Sequence, residues 1–137
     1  MSTPHSRAEK KAWKEFSLMI RARDEVNGYF TCPTCGQVKP IEQADAGHCI
    51  SSIKKAVKFD EMNVHAQCRK CNRFEEGNHT IYLKWLIEKC GIEQVEALEL
   101  RAQMTAGFKT ADLLRMAKEF KERTKAIIER KKNEGWN

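Results

Sequence analysis

Two short cysteine pairs constrain this chain more than any other feature. Cys32-Pro33-Thr34-Cys35 and Cys68-Arg69-Lys70-Cys71 share one spacing, and 32 residues separate them. Four thiolates arriving as two such pairs match a tetrahedral structural zinc site. Gly36 directly after Cys35 allows the tight turn that brings both thiolates of the first pair onto one metal. A redox dithiol needs one pair beside a βαβ pattern, and here there are two pairs and no such pattern. Cys90 reads as a small apolar group at a helix end, and Cys49 reads either the same way or as a replacement ligand.

The chain has 137 residues, one domain's worth, and its 41% hydrophobic content supports a modest core. No apolar run approaches the length of a membrane span. The polar, charged first residues lack the apolar segment of a secretory signal, so a cytoplasmic location is expected. Six cysteines in that setting point to metal rather than disulfides. The net charge is +6, and it concentrates at the two ends: +3 over residues 1–40 and +4 over 107–137. An anionic partner is expected, gripped by the ends, with the chemistry in the balanced middle.

Helical periodicity through Ala12, Trp13, Phe16, Met19 and Ile20 predicts a helix over 7–23, with Ser6 and Glu9 as its capping box. Trp13 and Phe16 read as core. Arg21 and Arg23 suit the helix C-terminus and are also candidates for phosphate contact. Tyr29 to Thr31 and Asn63 to Ala66 read as short strands, and 51–62 as a polar loop. Helices follow from Asn78 to Gly91, from Ile92 to about Met104, and from Thr110 onward. The expected fold class is α+β and mainly helical. The expected division is residues 1–106, with the cysteine framework, and a basic helical segment 107–137 that contacts DNA or dimerises through Leu113, Leu114, Phe120, Ile127 and Ile128.

A plain zinc ribbon needs nothing particular between its halves. Here His48 lies between the pairs, Asn63 stands five residues before Cys68, and Asn72 follows Cys71. This order resembles the HNH, or ββα-metal, endonucleases of the zinc-stabilised type seen in phage endonuclease VII. The wider match resembles the NinG (Rap) family of lambdoid phages. It runs through Ala12-Trp13, Phe16-Ser17, Ile20 to Asp24, Cys32/Cys35, Ala46-Gly47-His48, Phe59 to Cys68, Cys71-Asn72, Gly77-Asn78, Tyr82 and Leu86. It covers about residues 8–100.

The resemblance implies a ββα-metal (HNH) core with a four-cysteine zinc site between flanking helices. It implies a structure-selective endonuclease acting on branched DNA such as four-way junctions, in the host cytoplasm if phage-encoded. His48 would be the general base, since imidazole titrates near working pH. Asn63 would hold the loop that fixes the His48 backbone. Asn72 would offer a carbonyl oxygen to Mg²⁺ or Mn²⁺. Many HNH sites place Asp directly before the base His, and this chain has Gly47 there. Asp45 is then the candidate carboxylate ligand, with Glu42, His65 or His79 as alternatives; Asp45 also reads as a turn residue. Arg21, Arg23, Lys54, Lys55, Arg69, Lys70 and Arg73 are the candidate DNA contacts, and a homodimer would suit a branched substrate. Two rival functions remain: a non-catalytic zinc-stabilised DNA-binding protein, and a less selective HNH nicking nuclease.

Overall fold

A computed structural model describes residues 2–105 and 107–135. The protein is mainly helical α+β, with two small antiparallel sheets. Helix α1 spans Pro4–Asp24. It begins three residues before the predicted start, because Thr3 rather than Ser6 is its cap: the Thr3 hydroxyl accepts from the Ser6 amide at 3.0 Å. Pro4 fits the first turn, where no amide partner is needed. Glu9 is thereby freed from capping and instead binds Lys55 and Lys58, both at 2.6 Å.

Strands β1 (Tyr29–Thr31) and β2 (Val38–Pro40) form a hairpin around the first cysteine pair. The β2 strand escaped the sequence reading because three residues carry no usable alternation. Gly36 takes φ +74° in the turn, and its amide donates to the Cys32 carbonyl at 2.9 Å. Strands β3 (Ala44–His48) and β4 (Val64–Cys68) form a second hairpin, with Ala44 opposite Cys68 and His48 opposite Val64. The second cysteine pair and His48 thus occupy opposite ends of one two-stranded ribbon. A π-helical turn, Lys70–Phe74, follows β4 directly, and a 3₁₀ turn, Glu76–Asn78, leads into α2 (His79–Cys90). Asn78 occupies the N-cap position of α2 in a left-handed conformation and makes no side-chain capping bond. Gly91, at φ +90°, separates α2 from α3 (Ile92–Ala102), and α4 spans Thr110–Gly135.

The apolar stripe of α1 buries Phe16, Met19 and Ile20 against Ala46 and Val64 of the ribbon and Phe120 of α4. Nearer its start, Ala8 and Ala12 meet Leu113 and Ala117 of α4, and the small side chains let the two helices approach closely. The α4 helix therefore shares a core with α1. Of the positions considered for a dimer interface, Leu113 and Phe120 are spent on this packing, while Leu114 and Ile128 stay exposed. Lys131 reaches back to the carbonyls of Ala22 and Glu25, which places its charge on the C-terminal end of α1. A second core packs Tyr82 and Leu86 of α2 with Val95 and Leu98 of α3. No helix among the described residues is long and apolar enough to cross a membrane.

Candidate functional site

The four paired cysteines converge. The Sγ atoms of Cys32, Cys35, Cys68 and Cys71 all lie within 4.8 Å of one another, and Cys35 and Cys68 are 3.8 Å apart. A tetrahedron with zinc–sulfur bonds of about 2.3 Å has edges of about 3.8 Å, so the donor set fits structural zinc. Backbone amides donate to two of the sulfurs. The Cys68 amide donates to Cys32 Sγ at 3.4 Å, and the Cys71 amide donates to Cys68 Sγ at 3.5 Å. Burial opposes ionisation of Cys32, but the amides of Cys68, Cys35 and Thr34 and the Thr34 hydroxyl outweigh it and bring the thiol down to about 6, whereas burial pushes Cys35 up and Cys68 up to about 12. Cys49 lies outside this group, in the core beneath α2, where burial pushes its thiol up to about 12.

At the far end of the ribbon, roughly 13 Å along β3 by strand rise, His48 is held from two sides. Its ring stacks on Trp13 of α1, with centroids 4.9 Å apart and planes 20° from parallel. Trp13, read from sequence as core, is only half-buried and shares its face with this ring. His48 Nε2 lies 3.0 Å from the Lys58 carbonyl. A carbonyl only accepts, so Nε2 carries the proton and Nδ1 of the neutral ring keeps its lone pair. Burial, aided by the Lys58 charge and opposed by the hydrogen bond to the Lys58 carbonyl, pushes the imidazole below its ordinary value and keeps it neutral. Lys58 is itself tied to Glu9, whose carboxyl the Lys55 and Lys58 bonds hold down at about 2 against partial burial. The Glu9 contact thus fixes the loop that positions His48.

Asn63 is fully buried and ties the same loop. Its Oδ1 accepts from the Ile50 amide at 2.7 Å, and its Nδ2 donates to the carbonyls of Ile50 at 2.9 Å and Val57 at 3.1 Å. The Asn63 carbonyl accepts from the Cys49 amide at 2.8 Å, adjacent to His48. A cleft beside His48 is lined by Ser51, Ser52, Asn72, Glu76 and His79. Asn72 reaches it from the turn that follows the second cysteine pair.

Asp45 sits at the edge of a neighbouring cleft with Arg21, Arg69, Asn72 and Arg73. Arg73 grips both carboxylate oxygens at 2.8 Å, and the Asn72 amide donates to Oδ2 at 3.0 Å. Arg69 stands 3.9 Å away and donates to the Glu42 carbonyl. Partial burial works against the Asp45 charge, but the Arg73 and Asn72 bonds and the two guanidinium charges hold the carboxyl below the usual range. Of the alternative ligands, His65 is buried on Tyr82 and Trp85, and burial drives its imidazole down to about 3. Glu42 is exposed in the 3₁₀ turn Ile41–Gln43 before β3, and His79 alone joins His48 in one cleft.

The basic candidates divide by what they already hold. Arg23 donates to the carbonyls of Glu61 at 2.8 Å and Val64 at 2.7 Å and pairs with Asp24, which accepts from the Ala66 amide. Its guanidinium is committed to seating α1 on β4. Lys55 is paired with Glu9, and Arg21 donates to the Ser17 carbonyl at 3.2 Å beside the Asp45 cleft. Lys54, in the loop after β3, and Lys70, in the turn after β4, are both exposed. Sequence reasoning did not single out Trp13 or Lys58 as site residues, and it reached His79 only as an alternative ligand. Each acts through a contact distant in the chain or through its backbone, which leaves no local signal.

Residues 2–131 match the family described as Bacteriophage Lambda NinG protein. The chain belongs to the NinG family. That span includes most of 107–137, where the sequence carries no motif of its own. Two curated NinG proteins show the level of similarity: the one from Salmonella phage P22 is 36% identical over 97 residues, and the one from Escherichia phage lambda is 34% identical over the same length. Each alignment covers 70% of this chain and 46% of the relative, so this NinG chain spans about half the length of the curated relatives it matches. No solved structure matches it.

Proposed function

We propose that this NinG chain is a metal-dependent DNA endonuclease of the HNH, ββα-metal type. Its substrate is branched recombination DNA such as a four-way junction. The observation that carries the reading is His48 at the end of β3, with Nε2 pinned to the Lys58 carbonyl and Nδ1 left as a base, in one cleft with Asn72. A hairpin whose first strand ends in such a histidine, followed at once by a helical turn bearing an amide, is the arrangement expected of that nuclease type.

His48 takes a proton from water at Nδ1, and the stack on Trp13 keeps the ring aligned while it does so. Asn63 holds the loop and is a positioning residue, because its polar atoms are used within the fold. A bound Mg²⁺ or Mn²⁺ would supply charge stabilisation at the phosphate and the leaving 3′ oxygen. Asn72 would offer it an oxygen from the cleft, and Asp45 would join only where a DNA phosphate draws Arg73 away from the carboxylate. Arg21, Arg69, Lys54 and Lys70 add phosphate contacts, and the zinc cluster anchors the opposite end of the ribbon.

One observation favours a second reading. Asp45 is filled by Arg73 and Asn72, which suits a zinc-stabilised DNA-binding protein without catalysis. Cleavage of a labelled four-way junction beside matched linear duplex, with Mg²⁺, Mn²⁺ or EDTA, separates the readings. Junction cutting that needs metal and is abolished by His48→Ala supports the nuclease. Equal cutting of duplex reduces it to a less selective nicking enzyme. Tight junction binding with no cutting in any metal leaves the binding module.

A further inference from the structure

His79 stands outside the His48, Asn63 and Asn72 series, yet it lines the same cleft as His48 and Asn72. It is the first residue of α2, and its Nδ1 lies 2.7 Å from the Cys49 carbonyl. As at His48, the carbonyl only accepts, so Nδ1 donates and Nε2 of the neutral ring keeps the lone pair. Two imidazoles therefore share one cleft, each fixed in its tautomer by a backbone carbonyl, from Lys58 and from Cys49. An imidazole whose second nitrogen donates to a carbonyl is the usual state of a metal-ligating histidine, since the outer bond fixes the ring and raises its basicity.

The rest of the lining is Cys49 and four residues that carry side-chain oxygen: Ser51, Ser52, Asn72 and Glu76. Glu76 is exposed on the turn before α2 and takes φ +51°, a conformation uncommon for a residue with a side chain. Asp45, the carboxylate nearest His48 in sequence, is already gripped by Arg73. Among the described residues the four cysteines are the one group of three or more His, Cys, Asp or Glu side chains already gathered at ligating distance.

We propose that His79 is a ligand of the divalent ion in this cleft, through Nε2, with Asn72 and Glu76 supplying oxygen. The inference rests on the nuclease reading and sharpens it. Imidazole suits transition ions, whereas Mg²⁺ prefers oxygen donors and retains water. The site then takes Mn²⁺ in preference to Mg²⁺, and His79 is the reason.

The test is a Mn²⁺ titration of the zinc-loaded full chain, followed by loss of the free Mn²⁺ resonance signal and repeated with Mg²⁺ as competitor. Wild type is expected to bind one Mn²⁺ beyond its zinc. His79→Ala is expected to weaken Mn²⁺ binding by about tenfold or more and leave Mg²⁺ binding little changed. In wild type, the ring resonances of His79 should broaden at substoichiometric Mn²⁺, a readout that needs no variant and no activity. Wild-type Mn²⁺ affinity in His79→Ala, with sharp His79 ring signals, overturns the assignment of His79 and leaves the nuclease reading standing. No Mn²⁺ or Mg²⁺ bound by wild type beyond its zinc removes both. Zinc content and thermal melting check that His79→Ala is folded, and if it is not, the same titration of His79→Gln decides.

Discussion

Gln67 lies across Gly47. A Cβ on Gly47 would stand 2.0 Å from Gln67 Oε1 and 3.0 Å from Gln67 Cβ. The crossing is fixed, because Gln67 is fully buried and its Nε2 donates to Thr34 beside the cysteine cluster at 3.1 Å. The Gly47 carbonyl is fixed as well, accepting from the Tyr82 hydroxyl at 2.7 Å. The residue before His48 is therefore glycine for lack of room, and the missing aspartate at that position reflects packing on this face of the ribbon.

Gly47→Ala should cost about 1–3 kcal/mol as an overpacked side chain, and Gly47→Asp more, since it adds a charge against a buried amide. Urea unfolding of both variants measures this. Gly47→Ala combined with Gln67→Ala should recover part of the loss, because the two residues are in contact. Additive losses in the double variant would show that the crossing is not the cause.

His65 should make stability depend on pH in mildly acidic solution. Burial holds its folded imidazole at about 3, whereas the unfolded ring takes a proton near 6.5. Between those values the unfolded chain binds more protons, so stability falls as pH drops from about 6.5 toward 3. Glu9, held down at about 2, adds a loss only below the ordinary carboxylate range, as pH falls from about 4.5. Unfolding at about pH 7.5 and about pH 5.5, on either side of the unfolded histidine value, should show a smaller difference in His65→Gln than in wild type, at matched zinc content.

The His48 ring is held neutral by burial, so a reaction that uses it as a base should persist below pH 6.5. The acidic limb of the pH–rate profile measures this. Glu9→Gln, which loosens Lys58 without touching the cleft, should lower the rate with little change in DNA affinity. An unchanged rate would detach the Glu9–Lys58 tie from the positioning of His48.

Zinc removal should unfold the ribbon rather than only silence the site. Cys71→Ser, or a strong chelator, should lower zinc content and thermal stability together, because Cys32, Cys68 and Cys71 share a buried cluster with Phe30, Ala44 and Ala66. Circular dichroism with metal analysis checks both at once.

Arg23 and Lys70 should separate. Arg23→Ala should cost about 1–3 kcal/mol in stability by stranding the Glu61 and Val64 carbonyls and Asp24. Lys70→Ala should leave stability nearly unchanged and reduce the salt dependence of DNA affinity by about one unit of log–log slope. Binding isotherms from 50 to 200 mM salt, roughly the range over which phosphate contacts fade, provide the comparison.

Local residue spacing is enough for the paired-cysteine framework, the helical content and the order of His48, Asn63 and Asn72. Those features rest on local spacing: two residues between paired thiols, and apolar positions at helical period in α1. The start of α1 is locally ambiguous because Thr3-Pro4 and Ser6 are both acceptable signals, and only the Glu9 contact with Lys55 and Lys58 removes Glu9 from capping. What Asp45, Arg23, Trp13 and His79 do was decided by the tertiary structure alone. Each takes its role from a partner far along the chain: Arg73, the Val64 carbonyl, the His48 ring and the Cys49 carbonyl. Such a contact exists only once α1, the β3–β4 ribbon and α2 have packed, and no local pattern of residue types encodes it.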